Sequence, residues 1–542
     1  MLTRMRPISR SIIRAATCVA LAGMLTPVAG HATRAADTPV YGGTLTLANQ
    51  TDADSLDPAG NPVNEIIWAE QNIYEKLVQA TPDGKTIIPQ LDQSWTISKD
   101  GLTYTFHLRD AKFHNGQAVT AADVVYSLGR AKVFTGGWGF LLGAVKSITA
   151  ADSKTVTIAL KHPWAPILAD LAIYAMSIMP ADLLKKQGSK FFDHPIGSGP
   201  YAFVSWQKGS TITLKRNPLW WGPKPYLDTV KIVNVPNDNT RVLQLQGKQA
   251  DIIETPPANL LTQLAATPNV QVHLFPSSRV DFLQVDQHFA PFKDVKIRQA
   301  MNYAIDRNAL VRIVLGGHGT PGASIMPPML YSNPNLKPYP YDLKKAKALM
   351  AQSSYPHGFK TNLIEVSGDI PGNATAVIVK SELAQIGIDV TIQDYSLVTA
   401  YAKEDERNGN PVSNLGQRYW TNDIIDPQEI ISFVAEPDAG AHDMGSWWNN
   451  AQIDKLARQA EVELNPDKRR ALYYQIQQLS SDNAQLIVLY YQPYRYASGT
   501  WVHGFHASPL GVYQLDKIWL SAHSHPNWGV AAEPEVGRRR RR

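Results

Sequence analysis

The chain has 542 residues, 44% hydrophobic and 18% charged, a balance that suits folded structure at a length too great for one compact core, so two or three structural units are expected. Its formal charge of +5 misleads about the folded part: residues 1–36 hold five Arg and no acid, residues 538–542 hold five more Arg, and what lies between is net acidic by five. That excludes the basic footprint of a nucleic-acid binder, and a single cysteine, Cys18, excludes disulfides, thiol catalysis and thiolate metal sites beyond residue 36.

In chain order, Arg4, Arg6, Arg10 and Arg14 come first, an apolar run over residues 15–25 follows, and small residues lead to Ala35-Ala36. This is the layout of a secretory signal peptide, with the mature chain expected to begin between residues 31 and 37 and to reside in the periplasm. The run is too short to span a bilayer, and Cys18 precedes most of it, which argues against lipid attachment. Period-two alternation then predicts strands over 43–48, 103–108, 155–160 and 211–214. Helical spacing predicts helices over 121–131, 297–315, 343–350, 374–386 and 453–463, with Thr120 and Asp123 as a variant capping box at the first. Gly387 between a helix and the apolar run 388–392 reads as an α-to-β step. The mixture predicts an α/β or α+β chain with more than one lobe. No apolar stretch after residue 36 approaches the length of a membrane span, and no repeat is visible.

Two apolar strands far apart in sequence, 280–285 and 487–491, are the candidates for a pair of crossings between lobes. They divide the chain into a first lobe at 37–281, a second at 282–486 and a return to the first at 487–525. The Arg-rich tail at 526–542 is expected to be disordered.

Candidate chemistry concentrates in Arg418-Tyr419-Trp420-Thr421-Asn422-Asp423-Ile424-Ile425-Asp426-Pro427. Its two acids allow a catalytic pair, a cation site or an ordinary loop. Walker A, Gly-x-Ser-x-Gly and His-Glu-x-x-His motifs are absent. His503 with His506, and His523 with His525, have spacings compatible with a metal but read as exposed histidines; Trp447-Trp448 reads as packing.

A dozen stretches share one order with a known family. Asp54-Ser55-Leu56-Asp57-Pro58 and Ile73-Tyr74-Glu75-Lys76-Leu77 come first, then Pro89-Gln90-Leu91, Ser94-Trp95 and Asp100-Gly101-Leu102-Thr103-Tyr104. Lys112-Phe113-His114-Asn115-Gly116, Thr120-Ala121-Ala122-Asp123-Val124, Ile196-Gly197-Ser198-Gly199-Pro200-Tyr201 and Lys215-Arg216-Asn217 continue it. Pro291-Phe292-Lys293-Asp294, Arg298-Gln299-Ala300 and Ala304-Ile305-Asp306-Arg307 complete it. From about residue 40 to about 520 the chain resembles the family 5 extracytoplasmic solute-binding proteins of ABC importers, the group of oligopeptide and dipeptide binders. Taken singly, most of these motifs read as scaffold: turns, caps and tight glycine loops.

The resemblance implies an α/β, two-lobed periplasmic-binding-protein fold of the type II, cluster C kind, with mixed sheets and an extra subdomain at about 58–180 inserted in the first lobe. It implies a monomeric, non-enzymatic receptor without cofactor or metal, which captures a peptide or other small amine-bearing solute and passes it to permease subunits in the inner membrane. Trp420-Thr421-Asn422-Asp423 matches the family's Trp-x-x-Asp segment, whose Asp pairs with the ligand's α-ammonium. Asp423, Trp420, Tyr419 and Asn422 are therefore the expected ligand-binding residues, and Asp426 fits a turn or cap. The loop Ser367-Gly368-Asp369-Ile370-Pro371 lacks the Arg that dipeptide binders are expected to carry for the ligand carboxylate, and Arg407 and Arg418 read as surface residues. The alternatives are a secreted hydrolase using Asp423 and Asp426, and a binder of an opine, a metal complex or a sugar on the same scaffold.

Overall fold

The structure is a computed structural model and describes residues 38–60, 64–396, 399, 414–434 and 450–521. The expected leader at 1–36, the tail at 526–542, Arg407, Trp447-Trp448, His523 and His525 lie outside the described residues.

Thr44–Asn49 shows why the alternating pattern makes a strand. Leu45 and Leu47 enter the core on one face of a sheet while Ala48 enters a smaller core on the other. It pairs in parallel with Thr229–Asn234 and Ile252–Glu254. Among the described residues the sheet has seven strands, in the order Val270–Phe275, Tyr494–Gly499, Ile252–Glu254, Thr44–Asn49, Thr229–Asn234, Thr211–Arg216 and Tyr201–Gln207. A separate antiparallel sheet joins Asp92–Ile97, Thr103–Leu108, Thr155–Leu160 and Val145–Ala150. Its inward residues, Tyr104, Phe106, Leu108, Val156, Ile158 and Leu160, pack with the helix Ala121–Val133. At the start of that helix Asp123 accepts from the Thr120 amide at 2.9 Å, the cap that the sequence suggested.

The second large sheet runs Thr320–Pro321, Ile487–Tyr491, Arg279–Val285, Leu415–Thr421, Phe359–Val366 and Ile388–Tyr395. It is mixed: Phe359–Val366 is parallel to both of its neighbours, while Arg279–Val285 is antiparallel to both of its own. The two apolar strands singled out in the sequence are therefore neighbours, with Val280 opposite Tyr491 and Leu283 opposite Ile487. Both are buried almost throughout, which explains runs of apolar residues without alternation. After Pro493 the chain re-enters the first sheet as Tyr494–Gly499.

Two helices differ from their sequence patterns. Residues 297–315 form two helices, Val295–Ala304 and Arg307–Val314, because the Asp306 carboxylate accepts from the Asn308 and Ala309 amides and caps a new start. The helix expected from 374 begins at Ile370, where Asp369 caps the Gly372 amide and Pro371 stands in the first turn. No helix among the described residues is long and apolar enough to cross a membrane.

The parallel pair Phe359–Val366 and Ile388–Tyr395 starts where two glycines abut. Gly358 has φ +81°, and a Cβ there would collide with the Gly387 carbonyl. Gly116 has φ +89° with open space around it. Gly116→Ala should cost only the about 1–2 kcal/mol of a left-handed backbone. Gly358→Ala should cost about 1–3 kcal/mol more through the collision, as read from urea unfolding of the two variants.

Candidate functional site

The strand Leu415–Thr421 carries the candidate residues to the end of the second sheet, with Tyr419 opposite Asp281 and Thr421 opposite Arg279. The loop that follows is tightly made. Asn422 is wholly buried, its amide donating to the Asp426 carbonyl at 2.9 Å, and its own carbonyl accepts from Ser278 Oγ at 3.1 Å. The Asp423 and Ile424 amides both donate to Glu429 Oε2 at 3.0 Å. Ile424, 2% exposed, inserts among the apolar residues under the four-stranded sheet, and Phe433 meets Trp138 and Phe140 edge-on. A strand end, a carboxylate-capped turn and one apolar anchor thus fix the Asp423 backbone.

Asp426 does more than cap. It accepts from the Gln428 amide at 2.8 Å and binds Arg469 through both oxygens at 2.6 and 2.7 Å, the pair being buried. It lines neither cavity described below, so a hydrolase using Asp423 and Asp426 together loses its second acid. The acid beside Asp423 is Glu429. Burial first, and then the Asp423 charge, push the Glu429 carboxyl well above the ordinary range.

Two cavities meet this region. The larger, about 840 Å³, is lined from the first sheet's side by Trp68, Glu254 and Tyr494, and from the second sheet's side by Arg279, Asp369, Arg418 and Tyr419. The smaller, about 220 Å³, is lined by Asp423, Tyr174, Glu75, Lys76, Trp220 and Trp221 among others. Asp423 stands where the two approach. Burial and then the Asp423 charge raise the pKa of Tyr174, in the wall of the smaller cavity, and of Tyr494, in the wall of the larger.

Of the four expected ligand residues, the structure puts Asp423 and Tyr419 on cavity walls. Trp420 and Asn422 line neither cavity. Trp420 is half-buried and stacks on Phe433 with ring centres 4.4 Å apart, so it props the loop rather than the cavity wall. Arg418 corrects the surface reading: it is 3% exposed and lines the larger cavity. Sequence reasoning missed Arg279 altogether. Its guanidinium binds buried Asp281 at 2.7 and 3.0 Å and stacks 3.6 Å over the Tyr419 ring. Burial would lower its pKa, but the adjoining Asp281 carboxylate more than offsets this and holds it above the usual value. The signal was present: Arg279 and Asp281 are the two charged residues of the strand and share one face. Among the described residues no group of three or more His, Cys, Asp or Glu is placed to hold a metal ion. His503 instead stacks on Trp519, ring centres 3.9 Å apart, and His506 packs on Phe275.

The model for bacterial extracellular solute-binding proteins, family 5, matches residues 86–441. Heme-binding protein A of Haemophilus influenzae is 30% identical over 475 residues, covering 82% of this chain and 86% of that protein. The dipeptide-binding protein of Escherichia coli K12 is 28% identical over 479 residues, with 82% and 88% covered. The structure of the ABC transporter-associated periplasmic binding protein DppA from Helicobacter pylori, in complex with peptide STSA, superposes with a TM-score of 0.79 at 30% identity over 89% of this chain and 99% of that one. That of AgaA from A. tumefaciens R10 in complex with agropinic acid gives 0.77 at 29% identity, covering 89% and 100%. The α/β architecture with mixed sheets is the periplasmic-binding-protein fold.

The buried pair makes Asp426 a stability residue. Asp426→Asn should lower the unfolding free energy by about 3–5 kcal/mol, because Arg469 is left uncompensated. The variant's affinity for any solute the wild type binds should be unchanged. Urea unfolding and calorimetry check the two halves.

Proposed function

The chain belongs to the bacterial extracellular solute-binding proteins of family 5, and from that premise we propose that it is the receptor of an ABC importer that encloses a peptide or another amine-bearing solute and leaves it intact. The observation that carries this reading is Asp423, a carboxylate on a cavity wall whose neighbouring acid is pushed toward its neutral form. Shielded from water, one fixed carboxylate holds an ammonium group far better than an exposed pair would. Arg279 and Arg418, on the wall of the larger cavity, are suited to the acidic end of such a solute, in place of the Arg that the loop at 367–371 lacks. Relatives that bind a peptide and an opine acid are in keeping with a solute of mixed charge.

In this reading the lobes divide as the sequence divides them, 37–281 with the return segment and the inserted part at about 58–180 against 282–486, except that Ile487–Tyr491 goes with the second lobe, whose sheet it joins. The two passes of chain between the sheets act as the hinge, and the closed protein hands its solute to permease subunits of the inner membrane. The leader is removed on export to the periplasm, and the mature protein is a thiol-free monomer. Tyr419 contacts the solute; Trp420 and Asn422 hold Asp423 in place.

A thermal-shift panel of dipeptides, each with its N-acetyl counterpart, tests the reading, since a receptor gains RT ln(1 + [L]/Kd) of stability from its ligand. Free amines should stabilise the protein, and mass spectrometry should recover them unchanged. Asp423→Asn should weaken binding about 30-fold or more, the equivalent of about 2 kcal/mol for removing one partner of a desolvated pair. N-acetylation should reproduce most of that loss in the wild type and add little in the variant. Equal binding of free and acetylated peptides, or turnover of the solute, would contradict the assignment.

A further inference from the structure

The smaller cavity holds charged groups that capture of an ammonium group does not use. Asp516 is taken by Lys517 at 3.0 Å. Glu75, 1% exposed, accepts from the Trp221 indole at 2.9 Å and the Trp220 indole at 3.3 Å. Lys76, 3% exposed, lines the same cavity. Among the described residues its ammonium makes no hydrogen bond and no ion pair. Burial lowers its pKa to about 8, and the charge of Glu75, the nearest opposing group, restores only part. A buried ammonium without an acceptor is costly, and a polar cavity beside it is where an acceptor can enter.

Asp423 stands on the wall of this same cavity, and its charge also reaches Tyr494 in the larger one. A nitrogen bound there has room on two sides: the body of the solute in the larger cavity, and a substituent of that nitrogen in the smaller. We propose that the smaller cavity is a subsite for an acidic substituent, a carboxylate received by the Lys76 ammonium, so that the preferred solutes carry an acid beyond the amine as well as in the main body. The proposal rests on the assignment of Asp423 to the amine. It makes Lys76 a specificity residue and gives the solute class a second negative charge, close to its nitrogen.

Calorimetry on the mature protein with two shape-matched probes tests it: N-carboxymethyl-alanyl-alanine and N-isobutyl-alanyl-alanine, with alanyl-alanine as reference. The carboxymethyl probe should bind the wild type at least about tenfold more tightly than the isobutyl probe, as expected for one charge-assisted hydrogen bond in a shielded site. Lys76→Met should bring the two probes to equal affinity, with Lys76→Gln as the second variant should Met not fold. Asp423→Asn should weaken both probes by the same factor and leave their ratio intact. Equal affinities in the wild type, or a preference that survives both Lys76 variants, would overturn the subsite. So would binding of alanyl-alanine with neither substituted probe accepted, since the cavity would then admit no substituent. Indifference of all three probes to Asp423→Asn would instead overturn the amine assignment on which the subsite rests.

Discussion

The molecule turns on one buried carboxylate. Asp281 lies inside Arg279–Val285, one of two neighbouring strands of the second sheet beside which the chain enters that sheet and leaves it for the first, with its side chain shut off from solvent. A charge in that position must be paired, and the pairing joins both passes. Arg279, two residues back on the same strand, binds it with two hydrogen bonds, and Gln492, just past the second crossing strand, donates to it at 3.0 Å. Gln492 in turn accepts from Arg495 at 2.8 Å, and Arg495 donates to the Pro256 carbonyl next to the first sheet. The four side chains therefore connect the start of one crossing to the end of the other. A mutation that removed the Asp281 charge would leave two arginines without their shared counter-charge.

Much of the site's geometry follows from that anchor. Arg279 stacks on Tyr419, which fixes the outward face of the neighbouring strand, and three residues later the chain turns through the loop that presents Asp423. The loop is tied at its far side by Ile424 in the core beneath the four-stranded sheet and by Asp426 on Arg469. The polar contacts give direction and the apolar ones give rigidity, so the Asp423 backbone is held from two sides. The Glu429 carboxyl accepts from two backbone amides and, buried beside the Asp423 charge, is held well above the ordinary carboxyl range.

Most of the fold was legible in the sequence because its strands announce themselves. Thr103–Leu108 and Thr155–Leu160 alternate because one face is wet, and Ile487–Tyr491 is continuously apolar because neither face is. The break at Asp306 was hidden, since the apolar positions of the two helices stay nearly in phase across it and only the cap gives it away. The site was half legible. Asp423 and Tyr419 stand on cavity walls, but Trp420 turns onto Phe433 and Asn422 into its own loop. A four-residue motif does not say which of its side chains the turn will bury. Arg279 escaped notice and Arg418 was read as a surface residue because an arginine in a strand has the same letter whether it meets solvent, a ring or a buried acid. Only the pairing of strands 130 or more residues apart in sequence, Arg279–Val285 with Leu415–Thr421, brings Arg279 and Tyr419 together.

The central claim is that a solute nitrogen sits on Asp423 in the cavity that its side chain lines. The most direct measurement is a crystal structure of the mature protein with the amine-bearing compound that gives the largest thermal shift. The account predicts the ligand nitrogen within hydrogen-bonding distance of an Asp423 carboxylate oxygen, with the acidic end toward Arg279 and Arg418. A ligand whose nitrogen faces solvent or another acid, such as Glu254 across the larger cavity, would contradict it.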